Sequence, residues 1–249
     1  MQIEGIKTRL FREHDFLQDF ITGHVSSLKE GDILVVTSKI VALSEGRTGK
    51  IEDKKKLVMK ESKKIIETPW ALLTLMNDGW GINAGIDESN AYKKIILLPK
   101  NPFATAELIR KKLKKIYSLK NLGVLITDTR SIPLRQGTIG RTLGYAGFSP
   151  LKSYIGKKDL FGRKSRVTQS NVADALAAAA VIVMGEGSER IPLAIIKGAP
   201  VTFSSRPVSK KLMYLDFPPQ NDIFAKIFTS FEHVSRQYVR KKAKRKRSL

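Results

Sequence analysis

Apolar and polar positions follow two rhythms along this chain. Short unbroken apolar runs, bounded by glycine, proline or aspartate, predict buried strands. Longer stretches with apolar residues every third or fourth position predict helices. Gly31-Asp32 opens Ile33-Leu34-Val35-Val36-Thr37, the clearest buried strand, and Ser38 to Ser44 continues into a polar turn at Glu45-Gly46-Arg47. Lys54 to Glu67 reads as a helix with a charged face, ended before Pro69. Lys94 to Leu98 is a second strand, stopped by Pro99. Asn101-Pro102 then reads as an N-cap and first helical residue. The helix is expected over Ala104–Tyr117, with Ile109, Leu113 and Ile116 inward and Arg110, Lys111, Lys112, Lys114 and Lys115 in water. Leu122 to Ile126 follows as a strand, with Asp128 just beyond its end.

Asn171 to Met184 predicts an alanine-rich helix that packs closely on another element and is capped by Gly185. Pro192 to Ile196 is the next strand, closed by Gly198. Alternating strands and helices place the chain in the α/β or mixed α+β class, with mixed sheets and flanking helices. We expect one domain over residues 1–235, followed by a basic tail over 236–249.

Composition narrows the chemistry. There is no cysteine, which excludes disulfides, a thiolate nucleophile and cysteine-ligated metal centres. His14, His24 and His233 share no metal-ligand spacing. The longest apolar run, Ala175–Met184, has 10 residues, and a membrane helix needs about 20. No apolar stretch follows a basic one at the start, so a cytoplasmic protein away from membranes is expected. The net charge of +22 is large, and seven of its positive charges fall in Arg240–Arg247. That tail has the composition of a solvated segment and lacks the interleaved aromatics of a single-strand binder. The basic body suits small anionic substrates, or nucleic acid through the tail.

Three acid-bearing segments stand at the ends of predicted elements: Gly85-Ile86-Asp87-Glu88-Ser89-Asn90, Ile126-Thr127-Asp128-Thr129 and Met184-Gly185-Glu186-Gly187. Each acid has an ordinary explanation: a turn or cap at Asp87, an Asx turn at Asp128, an exposed loop acid at Glu186. Strand-end carboxylates followed by a hydroxyl also hold Mg²⁺ or Mn²⁺ near phosphate. No P-loop is present, because Gly46-Arg47-Thr48-Gly49-Lys50-Ile51 has the wrong glycine spacing. Gly137, Gly140, Gly144 and Gly147 make no dinucleotide fingerprint and predict tight turns or close backbone approaches. Arg135, Lys158 and Arg163 are candidate anchors for substrate carboxylates or phosphates.

Taken in order from about Gly5 to Gly198, these segments resemble the coenzyme F-420-0:γ-glutamyl ligases. The resemblance is carried by Gly31–Lys39, Glu45-Gly46-Arg47, Asn83–Asn90, Ile126–Thr129, Gly156–Arg163, Val172-Ala173-Asp174 and Met184–Gly187. It implies a GTP-dependent ligase that joins L-glutamate to an acceptor carboxylate through an acyl phosphate. It also implies an intertwined homodimer and two divalent ions, Mg²⁺ or Mn²⁺, with potassium as a further cation. By motif, Asp87 and Asp128 would hold one ion, and Thr129 and Glu186 the second. Ser38, Lys39, Asn90 and the stretch with Met184, Gly185, Gly187, Ser188 and Ile191 would contact nucleotide, as would Thr8, Arg9 and Leu10. Asp87, Asp128 and Arg135 are the expected catalytic residues.

Two departures stand out. Leu43 takes a position where the family commonly has lysine. Arg130 to Gly137 replaces a loop that usually carries a Gly-Arg pair. Its Pro133-Leu134-Arg135 pattern, with the Lys7–Phe11 opening, looks more like relatives proposed to extend folate. The acceptor is therefore expected to be a folate or coenzyme F-420-0. A rival reading is a nucleic-acid-binding protein that keeps the scaffold without ligase activity.

Overall fold

The structure is a computed structural model that describes residues 1–77 and 79–206 and the single positions 208, 223, 224 and 226. The basic tail, and most of the chain after Arg206, lie outside the described residues. In chain order the elements are β1 (Gln2–Ile6), α1 (Leu17–His24), β2 (Ile33–Thr37), α2 (Ser38–Ser44), β3 (Thr48–Gly49) and α3 (Lys54–Glu61). Then come β4 (Lys64–Glu67), β5 (Leu72–Met76), β6 (Gly79–Ile82), β7 (Ile95–Ile96) and α4 (Pro102–Ile116). The rest are β8 (Gly123–Ser131), β9 (Thr138–Ala146), β10 (Leu151–Ser153), β11 (Gln169–Asn171), α5 (Val172–Met184) and β12 (Leu193–Lys197).

The central sheet has the order β1-β12-β2-β8-β9 and is mixed: β2 and β8 run parallel, and the other pairs are antiparallel. Ile33, Leu34, Val35 and Val36 are all fully buried because helices cover both faces of the sheet. Leu34 and Val36 face Phe20 and Ile21 of α1, Ile40 and Val41 of α2, and Ile109 and Leu113 of α4. Ile33 and Val35 face Ala173, Leu176, Ala177 and Ala180 of α5. Each such Ile or Leu contributes on the order of 2 kcal/mol by burial, an upper figure relative to an extended chain.

Glycines in β9 let the helices come close, as the sequence predicts. A Cβ on Gly140 would lie 2.6 Å from the Ala177 carbonyl oxygen of α5, and one on Gly144 would lie 2.5 Å from the Pro102 carbonyl carbon of α4. Asn101 caps α4 by accepting the Ala104 N–H at 3.0 Å, with Pro102 as first helical residue. Asn171 caps α5 in the same way, through Asp174 N–H at 3.0 Å.

Four expectations need correction. Ile116, expected to face inward at the end of α4, is 49% exposed, so the buried stripe ends at Leu113. The predicted helix Lys54–Glu67 ends at Glu61, and Lys64–Glu67 turns into strand β4, paired with β5 in the three-stranded sheet β4-β5-β6. The β-branched pair Ile65-Ile66 prefers that ladder to a helix. Arg110 does not face water: it is 4% exposed, and its Nε donates to Leu122 O at 2.9 Å while Nη1 meets Glu107. It ties α4 to the start of β8. Finally, Asp128 does not follow the end of a strand. Pairing with β2 stops at Thr127, but β8 continues to Ser131 against β9, past an irregularity in register between Ile126 and Thr127.

No described helix is long and apolar enough to cross a membrane.

Candidate functional site

Asp128 lies in the central sheet, Asp87 in the segment between β6 and β7, and Glu186 in the loop after α5. Asp128 follows the last residue of β8 that pairs with β2, at the point where β2 gives way to α2. This brings Ser38, the first residue of α2, to Asp128: its Oγ donates to Asp128 Oδ1 at 3.1 Å. From the other side Arg141 of β9, the ladder partner of Asp128, places Nη2 3.8 Å from Asp128 Oδ2.

Asp87 comes from a different unit. The small core of Val58, Met76, Ala84, Ile86, Ile95 and Leu97 supports the turn that leads to it. Its backbone is held by a reciprocal pair of bonds with Ile96, at 3.0 and 2.8 Å. Its carboxylate accepts Ser89 N–H at 2.8 Å, Ser89 Oγ at 2.7 Å and Lys39 Nζ at 2.8 Å. Lys39 also donates to Ser89 O and Ser89 Oγ. Burial pushes the Asp87 carboxyl up, but the hydrogen bonds from Lys39 and Ser89 outweigh it and leave the group below its usual value of 3.8.

Glu186 completes the group from the loop after α5. Gly185, at φ 78°, reverses the chain there. Burial raises the Glu186 carboxyl first, and the negative charge of Asp128 and then of Asp87 raises it further. Lys39 and a hydrogen bond with Thr129 pull it down, and the net position is above 4.5. Glu186 thus lies within electrostatic reach of both other acids, which places the three predicted carboxylates in one region of the molecule. Asn90 ties the two loops together, its Nδ2 donating to Gly187 O at 3.0 Å.

The remaining predicted residues divide. Thr8 is buried against the same loop, with its N–H on Arg190 O at 2.9 Å. Arg9 turns away to Asp15 at 2.5 Å and to the ring of Phe20, and Leu10 is exposed. Met184 is buried in the core beneath α5, Ile191 packs against it, and Ser188 is exposed. Arg135 is exposed in the loop beyond the end of β8. Lys158 and Arg163 lie on an exposed hairpin above β10 and β11, whose tip presents Leu160 and Phe161 to solvent. Sequence reasoning missed Ser89 and Arg141. The Asp-x-Ser spacing was a legible signal for Ser89, whereas Arg141 depends on the register of β9 and left no local trace.

The donors fit a hard divalent cation chemically: three carboxylates and the Thr129 hydroxyl are oxygen ligands of the type Mg²⁺ and Mn²⁺ prefer. Burial first, and then the negative charge of Asp128 and Asp87, raises Glu186, so added positive charge would be favourable beside it. As they stand, however, no three His, Asp or Glu among the described residues are close enough to hold an ion together, and the Lys39 ammonium neutralises Asp87.

The family described as F420-0:Gamma-glutamyl ligase matches residues 5–56 and 48–198. The Coenzyme F420:L-glutamate ligase of Methanocaldococcus jannaschii is 33% identical over 247 residues, covering 90% of this chain and 96% of that protein. Its counterpart from Methanosarcina mazei is 37% identical over 80% of this chain and 87% of its own length. One from Methanococcus maripaludis strain S2 reaches 41% over 64% of each. All three named acids and the elements that carry them fall inside the matched residues, and the chain belongs to the F420-0:γ-glutamyl ligase family.

Proposed function

We propose that this protein is a γ-glutamyl ligase that uses GTP and divalent cations to join the amine of L-glutamate to an acceptor carboxylate. What supports the reading is the family match that spans all three acids, together with the Lys39–Asp87 contact and the electrostatic influence of Asp128 and Asp87 on Glu186.

A carboxylate does not acylate an amine directly, because oxide would have to leave. In the proposed reaction an acceptor carboxylate oxygen bonds to the γ-phosphorus as the bond to the β–γ bridging oxygen breaks, and GDP leaves. The glutamate nitrogen then bonds to the acyl carbon, inorganic phosphate leaves, and the amine loses a proton to solvent. Asp87, Asp128, Thr129 and Glu186 would hold Mg²⁺ or Mn²⁺, which when bound neutralises phosphate charge. Ser38 keeps Asp128 oriented, Lys39 offers an ammonium that can turn from Asp87 toward phosphate, and Asn90 fixes the Gly187 loop against the Asp87 loop. Thr8 and the Gly185–Ser188 loop border the same space. Arg135 is assigned to the anionic acceptor, and potassium to charge balance at the phosphates.

The names of the relatives favour coenzyme F-420-0 as acceptor. The Pro133-Leu134-Arg135 loop keeps a folate as the rival. Pairing of two copies belongs to the same proposal, and the exposed Leu160-Phe161 hairpin offers apolar surface for it. The test is incubation with GTP, Mn²⁺, L-glutamate and each acceptor in turn, followed by mass spectrometry. A product heavier by one glutamyl unit is expected. No GTP turnover with either acceptor, together with tight nucleic-acid binding, would replace the ligase by the nucleic-acid-binding reading.

A further inference from the structure

Among the described residues, Lys39 and Arg141 bring positive charge to the acids. Lys39 lies on Asp87; the other is Arg141, whose side chain is 7% exposed and stands behind Asp128 on the neighbouring strand. At 3.8 Å its Nη2 is too far from Asp128 Oδ2 for a hydrogen bond, so the contact is electrostatic. It is buried, and therefore little weakened by salt. Ser38 meanwhile holds the opposite oxygen, Oδ1. Asp128 is thus fixed from two sides, one of them a permanent positive charge.

Such a charge acts on anything that binds in front of the carboxylate. It opposes an arriving divalent ion, and it attracts the phosphates that would accompany that ion. We propose that Arg141 is a positioning residue that, as an internal counter-charge to Asp128, keeps the divalent-cation affinity of the site low until nucleotide phosphate is present. The identity of the ligand carboxylates rests on the function proposed above.

The test is Mn²⁺ binding, followed by the electron paramagnetic resonance signal of free Mn²⁺, with and without a non-hydrolysable GTP analogue. Arg141→Met removes the charge at similar length, and Arg141→Lys keeps it. Without nucleotide, Arg141→Met should bind Mn²⁺ about tenfold more tightly than the unmodified protein. Arg141→Lys should stay within about twofold of it. The enhancement of Mn²⁺ affinity by the analogue should shrink in Arg141→Met. A purely structural role for Arg141 predicts weaker or unchanged binding instead. Thermal melting checks the fold; should Arg141→Met not fold, Arg141→Gln carries the same test. Unchanged or weaker Mn²⁺ affinity in a folded, uncharged variant overturns the proposal. The readout needs no turnover, so tighter Mn²⁺ binding without glutamylation of any acceptor would sink the ligase reading and leave this inference standing.

Discussion

The two halves of the site are built differently. Asp128 lies within a paired strand, backed by fully buried Val124, Leu125 and Ile126, and is gripped by Ser38 and Arg141. Asp87 lies on a loop stretch where Asn83, Ala84, Asn90, Tyr92 and Lys93 all have positive φ, between 30° and 61°. Non-glycine residues held there store strain, of order 1 kcal/mol or more each, and such strain gathers at binding loops. One half is therefore a rigid reference, and the other a loop whose shape is held by its ligands: Lys39, Ser89 and the Asn90–Gly187 bridge. The sheet fixes one carboxylate, whereas side-chain contacts from Lys39 and Ser89 position the other.

The largest effect should come from the rigid half. Asp128→Asn, which hardly changes volume, should lower glutamyl transfer by at least about a hundredfold while leaving the melting temperature within a few degrees. Turnover near normal in that variant would remove Asp128 from the chemistry.

Next comes the packing that makes the half rigid. Gly144→Ala would force a methyl group onto the Pro102–Phe103 backbone, and the neighbour is main chain that cannot swing aside. A loss of about 1–3 kcal/mol in chemical denaturation is expected, with cation binding reduced alongside. Unchanged stability would show that α4 can move away from β9, and the rigid half would not be rigid.

The division between halves also sorts what the sequence made legible. β2 and the first half of β8 were readable because burial on both faces leaves an unbroken apolar run. Asn101-Pro102 announced α4, and the alanines of α5 announced close packing. The register of β9 was not readable, because its glycines serve contacts with α4 and α5 that no local pattern reveals. Asp128 therefore seemed to follow a strand rather than to lie in one, and Arg141 was missed. Arg110 seemed solvent-facing among its lysine neighbours, yet it binds a carbonyl contributed by the next element. Charge pattern alone extended α3 into what is strand β4. The acid segments were visible as three loops, but their meeting was legible only through the order of family-like motifs, since each acid alone has an ordinary turn explanation.

The smallest effect concerns charge. The raised pKa of Glu186 means that the folded protein holds this proton more tightly than the unfolded chain does. That favours the fold below the ordinary value of 4.5, and the benefit is gone once pH climbs past the raised value. In metal-free protein, Glu186→Gln should raise the melting temperature slightly at neutral pH, because it removes a charge disfavoured first by burial and then by Asp128 and Asp87, an effect that solvent screening keeps small. The gain should fade as the pH falls through the carboxylate range. A gain that persists in acid would assign the effect to packing rather than to repulsion.

In the proposed function, the carboxylates from both halves would close on one cation cluster at the nucleotide phosphates. Crystals grown with Mn²⁺ and a non-hydrolysable GTP analogue test it through the anomalous signal of manganese. Manganese peaks should touch Asp128 and Glu186 oxygens, with Asp87 released from Lys39 and among the ligands. Manganese and triphosphate bound elsewhere, with the Lys39–Asp87 pair intact, would contradict it.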